Sequence, residues 1–283
     1  MEQKRAIVTG ADGGMGRVIT EALANAGFEV IMACIHKDKA ENLASEIRKK
    51  TGNAQIEVRE INLTSFASID RFCRQLLEEH KPIARLHNNA GILSTEFVST
   101  EDGLEQTVST NYVGPYLLTR RLLPLFEKGG RIINTVSCTY AIGKIEKNFF
   151  EKGRNGMFLR IPIYSNTKYA LLLFTLNLAE ELKAKGISVH AADPGIVNTD
   201  MITMHQWFDP LTDILFRPFI RTPQQGAATA IAASLSTLGE VESGKCWANS
   251  HPIKLGKKYY DKNIWNTLKT QTEVHIKAAG FSL

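Results

Sequence analysis

Thr9-Gly10-Ala11-Asp12-Gly13-Gly14-Met15-Gly16 is the stretch of this 283-residue chain that decides its fold. It follows a short apolar run, Ala6-Ile7-Val8, and precedes a helix-like segment from Arg17 to Ala26. Glycine accepts positive φ and lets backbone approach a ligand closely, so this order indicates strand, tight turn and helix. The free N–H groups and dipole at the start of such a helix attract a pyrophosphate. The stretch therefore favours a dinucleotide site, with a plain strand-to-helix turn as the alternative.

Composition narrows the class of protein. The chain is 43% hydrophobic and 22% charged, which suits one large globular domain that needs neither disulfides nor metals. The net charge of +5 is spread along the chain, and its densest basic cluster, Lys254 with Lys257 and Lys258, is short. We interpret that cluster as solvated surface, because nucleic-acid binding needs a concentrated basic face.

Cysteine and histidine spacing bears on redox state and metal binding. Cys34, Cys73, Cys138 and Cys246 form no CxxC pair, and the histidines show no HxxxH or HExxH spacing. We expect a reduced protein without a metal site. No signal peptide precedes the first strand, and no apolar run approaches the roughly 20 residues that span a bilayer. The default prediction is a cytoplasmic protein.

Strand-like and helix-like segments alternate along the chain. Strands are predicted at residues 29–34, 56–58, 83–87, 131–136, 187–192 and 244–248, and helices at 39–50, 66–80, 104–126, 162–185 and 223–238. Strict alternation with right-handed crossovers predicts a doubly wound parallel sheet, a three-layer α/β/α Rossmann fold. No repeat or linker separates a second domain, so residues 1–283 are predicted to form a single one.

Two long segments interrupt this alternation, at about residues 139–161 and 200–222. Long loops inside a compact domain are usually functional lids or disordered. The second segment carries Met201, Met204, Trp207, Phe208, Phe216 and Phe219, together with Pro210 and Pro218. These aromatic side chains favour a lid over an apolar substrate, with a contact to another chain as the alternative.

Tyr164 and Lys168 lie four residues apart near the start of a predicted helix, so their side chains share one face. A phenol with a pKa near 10 is a poor acid–base group at neutral pH. An adjacent ammonium favours the phenolate and would lower that pKa. The pair therefore suggests proton transfer, although an ordinary solvated pair has the same spacing.

Together the motifs resemble those of the classical short-chain dehydrogenase/reductase family. The matching residues follow the family's order over nearly the whole chain: Thr9-Gly10-x-x-x-Gly14-x-Gly16, Asn88-Asn89-Ala90-Gly91, Asn111, Ser137, Tyr164-x-x-x-Lys168, and Pro194-Gly195 with Thr199. Gly143-Lys144-Ile145, Ser243-Gly244-Lys245 and the wide gap between Ser137 and Tyr164 resemble its retinol-dehydrogenase-like branch. The resemblance implies hydride transfer between a nicotinamide cofactor and a carbonyl or alcohol, in a homodimer or homotetramer.

The resemblance also implies four catalytic residues. Tyr164 would donate or accept the proton on the substrate oxygen, and Ser137 would hydrogen-bond that oxygen. Lys168 would lower the pKa of the tyrosine and hold the nicotinamide ribose. Asn111, beside Gly114-Pro115 in the predicted long helix, would hold a water that links Lys168 to solvent. A plain amide on a helix surface is the alternative for Asn111.

Cofactor contacts are implied for a larger set of residues. They are Gly10, Asp12, Gly14, Met15, Gly16, Cys34, His36, Lys37, Asn62, Leu63, Asn89, Ala90, Gly91, Tyr164, Lys168, Pro194, Gly195, Val197 and Thr199. Asn62 stands where the family often has an aspartate against the adenine. An amide oxygen still accepts a hydrogen bond there.

The end of the second strand bears on cofactor choice. NAD-selective members place an acidic residue there for the ribose hydroxyls, whereas this chain has Cys34, then Ile35, His36 and Lys37. His36, Lys37 and Arg17 could attract a 2′-phosphate. The related branch usually has an arginine where Ile35 stands, which weakens the case. NADP(H) is the prediction, with NAD(H) as the alternative.

The sequence leaves three functional readings. The first is an NADP(H)-dependent carbonyl reductase or alcohol dehydrogenase for a bulky, apolar small molecule, without a nucleic-acid partner. The second is a catalytically idle NADP(H)-binding regulator, against which the full set of Asn111, Ser137, Tyr164 and Lys168 argues. In the third, the aromatic segment contacts a membrane surface, which is compatible with activity but is not the expectation.

Overall fold

The central sheet orders its strands as β3-β2-β1-β4-β5-β6-β7-β8. The computed structural model describes residues 4–151, 153–154, 157–197, 221–237 and 242–283. Within them the strands are β1 Arg5–Thr9, β2 Glu29–Cys34, β3 Ile56–Glu60, β4 Ile83–Asn88, β5 Phe126–Thr135, β6 Ser188–Asp193, β7 Lys245–Ala248 and β8 His251–Ile253. All neighbours through β7 pair in parallel, and β8 pairs antiparallel to β7.

Helices cover both faces of this sheet. They are α1 Gly14–Asn25, α2 Lys37–Thr51, α3 Phe66–Glu78, α4 Gln106–Val108, α5 Gly114–Leu122, α6 Arg160–Leu182, α7 Pro223–Leu235 and α8 Lys262–Ala278. Buried residues of α1, α2 and α7 form one core, and those of α3, α5, α6 and α8 form the other. The predicted three-layer, doubly wound fold is confirmed, with an antiparallel β8 as the exception to a fully parallel sheet.

Alternating side chains of the strands assign each residue to one of the two cores. In β1, Ile7 joins the core under α3 and α6, while Ala6 and Val8 join the core under α1 and α7. All residues of β1, β2 and β6 are buried, as expected for parallel strands covered on both faces. The chain leaves β1 toward β2 on one side, while β4 pairs with β1 on the other. That switch point opens a crevice at the carboxyl ends of β1 and β4.

The predicted long helix at residues 104–126 is wrong in its interior and at its end. Between α4 and α5 the chain forms a π-helix, Ser109–Val113, and Phe126 begins β5 opposite Ile83. Pro115 has no N–H to donate to the carbonyl of Asn111, and a Cβ on Gly114 would lie 2.6 Å from the Leu63 carbonyl oxygen. The missing bond and the close contact with the Leu63 backbone accompany the wider turn at Asn111.

The C-terminal segment was not assigned from the sequence beyond residue 248. It forms β8 and α8, and α8 packs against the helices near the catalytic motifs: Trp265 stacks on Phe174 at 6.1 Å, and the Thr272 and Tyr112 hydroxyls lie 2.9 Å apart. The buried positions of α8 are Trp265, Leu268, Thr272 and Ile276. Their helical spacing is the signal that would have predicted this helix.

The two irregular segments differ in what the structure describes of them. The first is packed in part: Cys138–Ala141 form a 3₁₀ helix, Phe149 and Phe150 are buried, and α6 begins at Arg160, whereas Ile142 and Met157 are exposed. Most of the second segment, residues 200–220, lies outside the described residues, including the six apolar side chains named for the lid. The lid and the single domain over residues 1–283 stay predictions.

Candidate active site

The glycine turn after β1 is a cradle made of backbone. Gly10 has a φ of +59°, and a Cβ there would lie 3.1 Å from Ala90 Cα. A Cβ on Gly16 would collide with the Gly10 carbonyl oxygen. The helix α1 begins at Gly14 without a side-chain cap on Gly13 and without an acidic residue in its first turn. Its first N–H groups can therefore bind an anion.

Asn89 joins the ends of β1 and β4 at this crevice. Its Nδ2 donates to the Thr9 carbonyl over 3.0 Å, and the Thr9 hydroxyl accepts the backbone N–H groups of Asn89 and Ala90. Asn89 Oδ1 is buried and has no hydrogen-bond partner among the described residues. A buried amide oxygen without a partner at the switch point is a fit for a ligand hydroxyl. The cradle and this oxygen together fit a dinucleotide.

The end of β2 carries mixed charges. Cys34 is 1% exposed, and burial together with the neighbouring Asp12 carboxylate raises the pKa of its thiol to about 12. The thiol is therefore protonated and unreactive at neutral pH. His36 and Lys37 are exposed at the start of α2. Arg17 is one of the side chains predicted from the sequence to attract a 2′-phosphate. In the structure its guanidinium donates hydrogen bonds to the Glu21 and Glu46 carboxylates over 3.3 and 3.2 Å.

Asn62 serves the local turn after β3. Its Oδ1 accepts hydrogen bonds from the backbone N–H and the hydroxyl of Thr64, over 2.9 and 2.7 Å. Its own N–H donates to the Ser68 hydroxyl over 2.9 Å. The oxygen that the sequence assigned to adenine already accepts two hydrogen bonds, so its role toward the cofactor stays a prediction. Leu63, the next residue, is buried.

Tyr164 and Ser137 meet at the carboxyl end of β5. Ser137 is the N-cap of the 3₁₀ helix Cys138–Ala141, and Tyr164 lies in the first turns of α6. Burial raises the pKa of Tyr164 to about 12, and the Ser137 hydroxyl works against this shift. The spacing in the sequence predicts that the neighbouring Lys168 ammonium lowers this pKa. In the protein alone desolvation wins, and the phenol holds its proton at neutral pH.

Lys168 is fully enclosed behind this pair. It is 2% exposed, its Nζ donates to the Thr135 carbonyl over 2.9 Å, and it lies 5.6 Å from the centroid of the Tyr164 ring. Burial lowers the pKa of Lys168 to about 8, and the Asp193 carboxylate raises it. A lysine with such a pKa changes charge near neutral pH, which suits proton transfer.

Asn111 lies in the π-helix and binds two neighbouring segments. Its Oδ1 accepts the Ile92 N–H and its Nδ2 donates to the Ile92 carbonyl, both over 2.8 Å, and Nδ2 also reaches the Thr167 hydroxyl. A Cβ on Gly91 would lie 3.3 Å from both Asn111 Oδ1 and Lys168 Nζ. Asn111 is 0% exposed, so the alternative of a surface amide is wrong.

The turn after β6 completes the site. Gly195 has a φ of +72° and packs under the Arg221 guanidinium, whose Nη1 donates to the Pro194 carbonyl over 3.2 Å. A Cβ on Gly226 would lie 2.5 Å from Val197 and 3.0 Å from Met15 Sδ, so the structure brings these two cofactor candidates together. Thr199 lies outside the described residues.

Two residues of this turn were missed from the sequence, Asp193 and Arg221. Asp193 is 7% exposed at the last position of β6, and its carboxylate accepts the Gly195 N–H over 2.9 Å and is stabilised by the nearby Cys138 N–H. Burial raises the pKa of Asp193, while these N–H groups and the charges of Arg221 and Lys168 lower it. The signal was an acidic residue at the end of a buried strand, directly before Pro194.

Comparisons with known proteins agree with this geometry. The family model "short chain dehydrogenase" matches residues 4–206. The chain belongs to the short-chain dehydrogenase family. It is 35% identical to human retinol dehydrogenase 11 over 251 residues, covering 88% of this chain and 78% of that protein. It is 31% identical to human retinol dehydrogenase 14 over 294 residues, covering 98% and 87%.

Solved structures extend the comparison to the whole fold. A putative uncharacterised protein from Mycobacterium paratuberculosis has a TM-score of 0.76 at 26% identity, covering 97% of this chain and 94% of that one. A blue fluorescent protein from a metagenomic library, in complex with NADPH, has a TM-score of 0.69 at 26% identity, covering 86% and 94%. The chain is thus a classical short-chain dehydrogenase/reductase of the retinol-dehydrogenase-like branch, a nicotinamide-dependent oxidoreductase acting on a small molecule, not on nucleic acid.

Two properties of the described residues concern membrane insertion and metal binding. No helix among them is both long and apolar enough to cross a bilayer. Within the same ranges, no three histidine, cysteine or acidic side chains cluster closely enough to hold a metal ion. The cytoplasmic location and the homodimer or homotetramer stay predictions.

Proposed function

We propose that the protein is a carbonyl reductase and alcohol dehydrogenase with Tyr164 as its proton donor and acceptor. The observation that carries the proposal is the meeting of Tyr164, Ser137 and Lys168 at the carboxyl end of β5. This edge of the sheet also holds the glycine cradle, two strands away. When bound, the nicotinamide supplies or accepts the hydride; every other part of the reaction falls to the chain's own side chains.

Proton transfer follows from the state of the three side chains. A phenol whose pKa is about 12 is protonated at neutral pH and can donate to the oxygen of a carbonyl substrate. The Ser137 hydroxyl stabilises the charge that develops on that oxygen and on the phenolate. The Lys168 ammonium lies close enough to the ring to favour the phenolate after transfer. The protonated resting state suits the reduction half of the cycle, in which Tyr164 donates the proton.

An apolar substrate is supported by exposed apolar side chains that lie close to the catalytic residues along the chain. Exposed apolar side chains follow Ser137, precede Tyr164 and flank Gly195: Ile142, Met157, Leu159, Ile161 and Ile196. Met157 is 79% exposed and Ile142 is 66% exposed, so both side chains are free to contact an apolar ligand or partner. The names of the relatives, retinol dehydrogenases, point to the same class of bulky apolar carbonyl or alcohol.

A preference for NADP(H) is supported by His36 and Lys37, which are exposed at the start of α2 beyond a β2 that ends in Cys34. Asp12 opposes it, because its carboxylate lies beside Cys34 at the end of β2. We expect Lys37→Glu to weaken NADPH binding more than NADH binding, and Asp12→Asn to shift the preference the other way. Dissociation constants from nucleotide fluorescence measure both. An unchanged ratio of the two constants in Lys37→Glu would refute the assignment.

The test of the activity is a screen of NADPH and NADH oxidation over aliphatic, aromatic and retinoid carbonyls. Tyr164→Phe should lower kcat by about 10²–10⁴-fold, the usual contribution of a positioned acid. Tyr169→Phe is the matched control on the same helix, because Tyr169 packs against Tyr259. Turnover that survives in Tyr164→Phe contradicts the proton donor. Nucleotide binding without turnover of any carbonyl supports a nucleotide-binding regulator instead.

A further inference from the structure

Asp193 is the one buried charge at the site that the proposed reaction leaves unused among the described residues. It ends β6, which pairs with β5 in a register that places Ala192 opposite Thr135. The Lys168 Nζ donates to the carbonyl of that same Thr135 over 2.9 Å. The carboxylate and the ammonium therefore occupy neighbouring positions at the same edge of the sheet, and the two groups attract each other.

The carboxylate also joins the two turns that carry the reaction. It accepts the N–H of Gly195, in the turn after β6, over 2.9 Å, and the nearby N–H of Cys138, the residue after Ser137, stabilises its negative charge. One side chain thus fixes the Ser137 turn relative to the Pro194-Gly195 turn. Buried charged groups are costly unless other charges and hydrogen bonds compensate them, and Asp193 has the Gly195 hydrogen bond and the attraction of Lys168 and Arg221.

We propose that Asp193 is a positioning residue that holds the Ser137 and Gly195 turns together and keeps Lys168 in its ammonium form. The proposal rests on the proposed function of Tyr164 and Lys168. Without the carboxylate, a lysine enclosed by β5 and α6 loses the negative charge that offsets its desolvation. The alkaline limit of carbonyl reduction is then set by Asp193 as well as by the residues that touch the substrate.

The charged and titratable groups that face Asp193 from all packed elements decide the direction of the effect. Among the described residues they are Lys168, Arg221, Cys138, Tyr140, Tyr164 and Cys246. Removing the carboxylate lowers the pKa of Lys168 by loss of attraction and that of Tyr164 by loss of repulsion. Both changes reduce the protonated fraction of these two side chains at high pH. Both therefore shift the alkaline limb of the kcat–pH profile to lower pH.

Asp193→Asn is the first variant, because the asparagine amide oxygen can still accept the Gly195 N–H. In enzyme labelled with ¹³C at lysine Cε, the Lys168 resonance, assigned by its loss in Lys168→Met, should titrate at a pH lower by about one unit or more. The alkaline limb of the kcat–pH profile for carbonyl reduction should shift to lower pH by a similar amount. KM should change less than kcat. Asp70→Asn, which removes a carboxylate paired with Arg74 and Arg121, is the control and should change neither.

The lysine titration and the turnover measurement distinguish failure of this proposal from failure of the proposed function. The lysine titration needs no turnover, so an enzyme that reduces no carbonyl would refute the proposed function and still decide the role of Asp193. Identical titration of Lys168 in Asp193→Asn and the unmodified protein overturns the proposal. Asp193→Ala, which also removes the acceptor of the Gly195 N–H, should lower the melting temperature more than Asp193→Asn. Equal melting temperatures for these two variants contradict the positioning of the turns.

Discussion

The turn after β1 and the turn after β5 lie two strands apart at one edge of the sheet, and they are built differently. The first is backbone: Gly10 and Gly16 leave no room for a Cβ, and α1 starts without a cap. The second is side chains, with Ser137 facing Tyr164 and buried charges behind them. The first turn therefore has the properties of a binding surface and the second those of a reactive one. Substitutions should divide accordingly between nucleotide affinity and turnover.

The largest expected effect lies in the second turn. Ser137→Ala removes the hydroxyl that faces the substrate oxygen and should lower kcat by about 10²–10³-fold, as loss of one oxyanion donor does. The dissociation constant of the nucleotide should stay within about twofold, because the cradle after β1 is untouched. Steady-state kinetics and nucleotide fluorescence measure the two quantities. Cys138→Ala, one residue on, is the control. A loss in Ser137→Ala that falls on nucleotide affinity instead would break the division between the turns.

The next effect lies in the first turn. In Gly16→Ala the new Cβ would meet the Gly10 carbonyl oxygen and lie 2.8 Å from Ala11 Cα, so the turn must move. Overpacking of this kind costs about 1–3 kcal/mol, and we expect the nucleotide dissociation constant to rise about tenfold or more. Gly52→Ala is the control, since Gly52 has a φ of +67° with open space around it. It should lower stability without changing affinity, whereas equal affinity losses in both variants contradict the cradle.

His87 offers a pH test from β4, the strand between the two turns. It is 1% exposed, and burial lowers its pKa from the usual value of 6.5 to about 3. Between these values the unfolded chain binds a proton that the folded chain does not. The free energy of unfolding should therefore fall with acidification, by about 1.4 kcal/mol per pH unit from this residue.

Denaturant unfolding between pH 7 and pH 4 measures this contribution against a variant. His87→Gln can keep a hydrogen bond to the Ser234 hydroxyl, which lies 2.9 Å from His87 Nε2, and has no proton to bind. Its stability should fall less steeply with acid than that of the unmodified protein. Parallel curves for the two proteins contradict a neutral buried histidine. Lys168, behind the turn after β5, differs from His87, because its pKa of about 8 places its change of charge near neutral pH.

The comparison also explains how much could be predicted from the sequence. The glycine turn and the Tyr164-Lys168 pair were found because their spacing is local, within one turn or one helix. Asp193 was missed because its partners, Cys138 and Lys168, come from other strands and helices and meet it only in the folded sheet. The π-helix at Ser109–Val113 was missed because Pro115 indicates a local disturbance without specifying its form. The raised pKa of Tyr164 depends on burial, which spacing does not report.

The smallest expected effects compare the helix starts α1 and α7, which pack against each other where Met15 approaches Gly226. At α7 the Thr222 hydroxyl accepts the Gln225 N–H over 3.2 Å in a complete capping box, whereas Gly13 leaves α1 uncapped. Thr222→Ala should cost about 1 kcal/mol of stability and leave nucleotide affinity unchanged.

Gly13→Ser should instead raise stability and weaken nucleotide binding. Gly13 has a φ of −76°, which serine adopts freely, so the new hydroxyl can cap α1 and add a few tenths of a kcal/mol. The same hydroxyl competes with a pyrophosphate for the first N–H groups, and nucleotide affinity should fall severalfold. Melting temperatures and nucleotide titrations of both variants measure these changes in stability and affinity. A gain in affinity for Gly13→Ser would mean that the start of α1 is not where the phosphates bind.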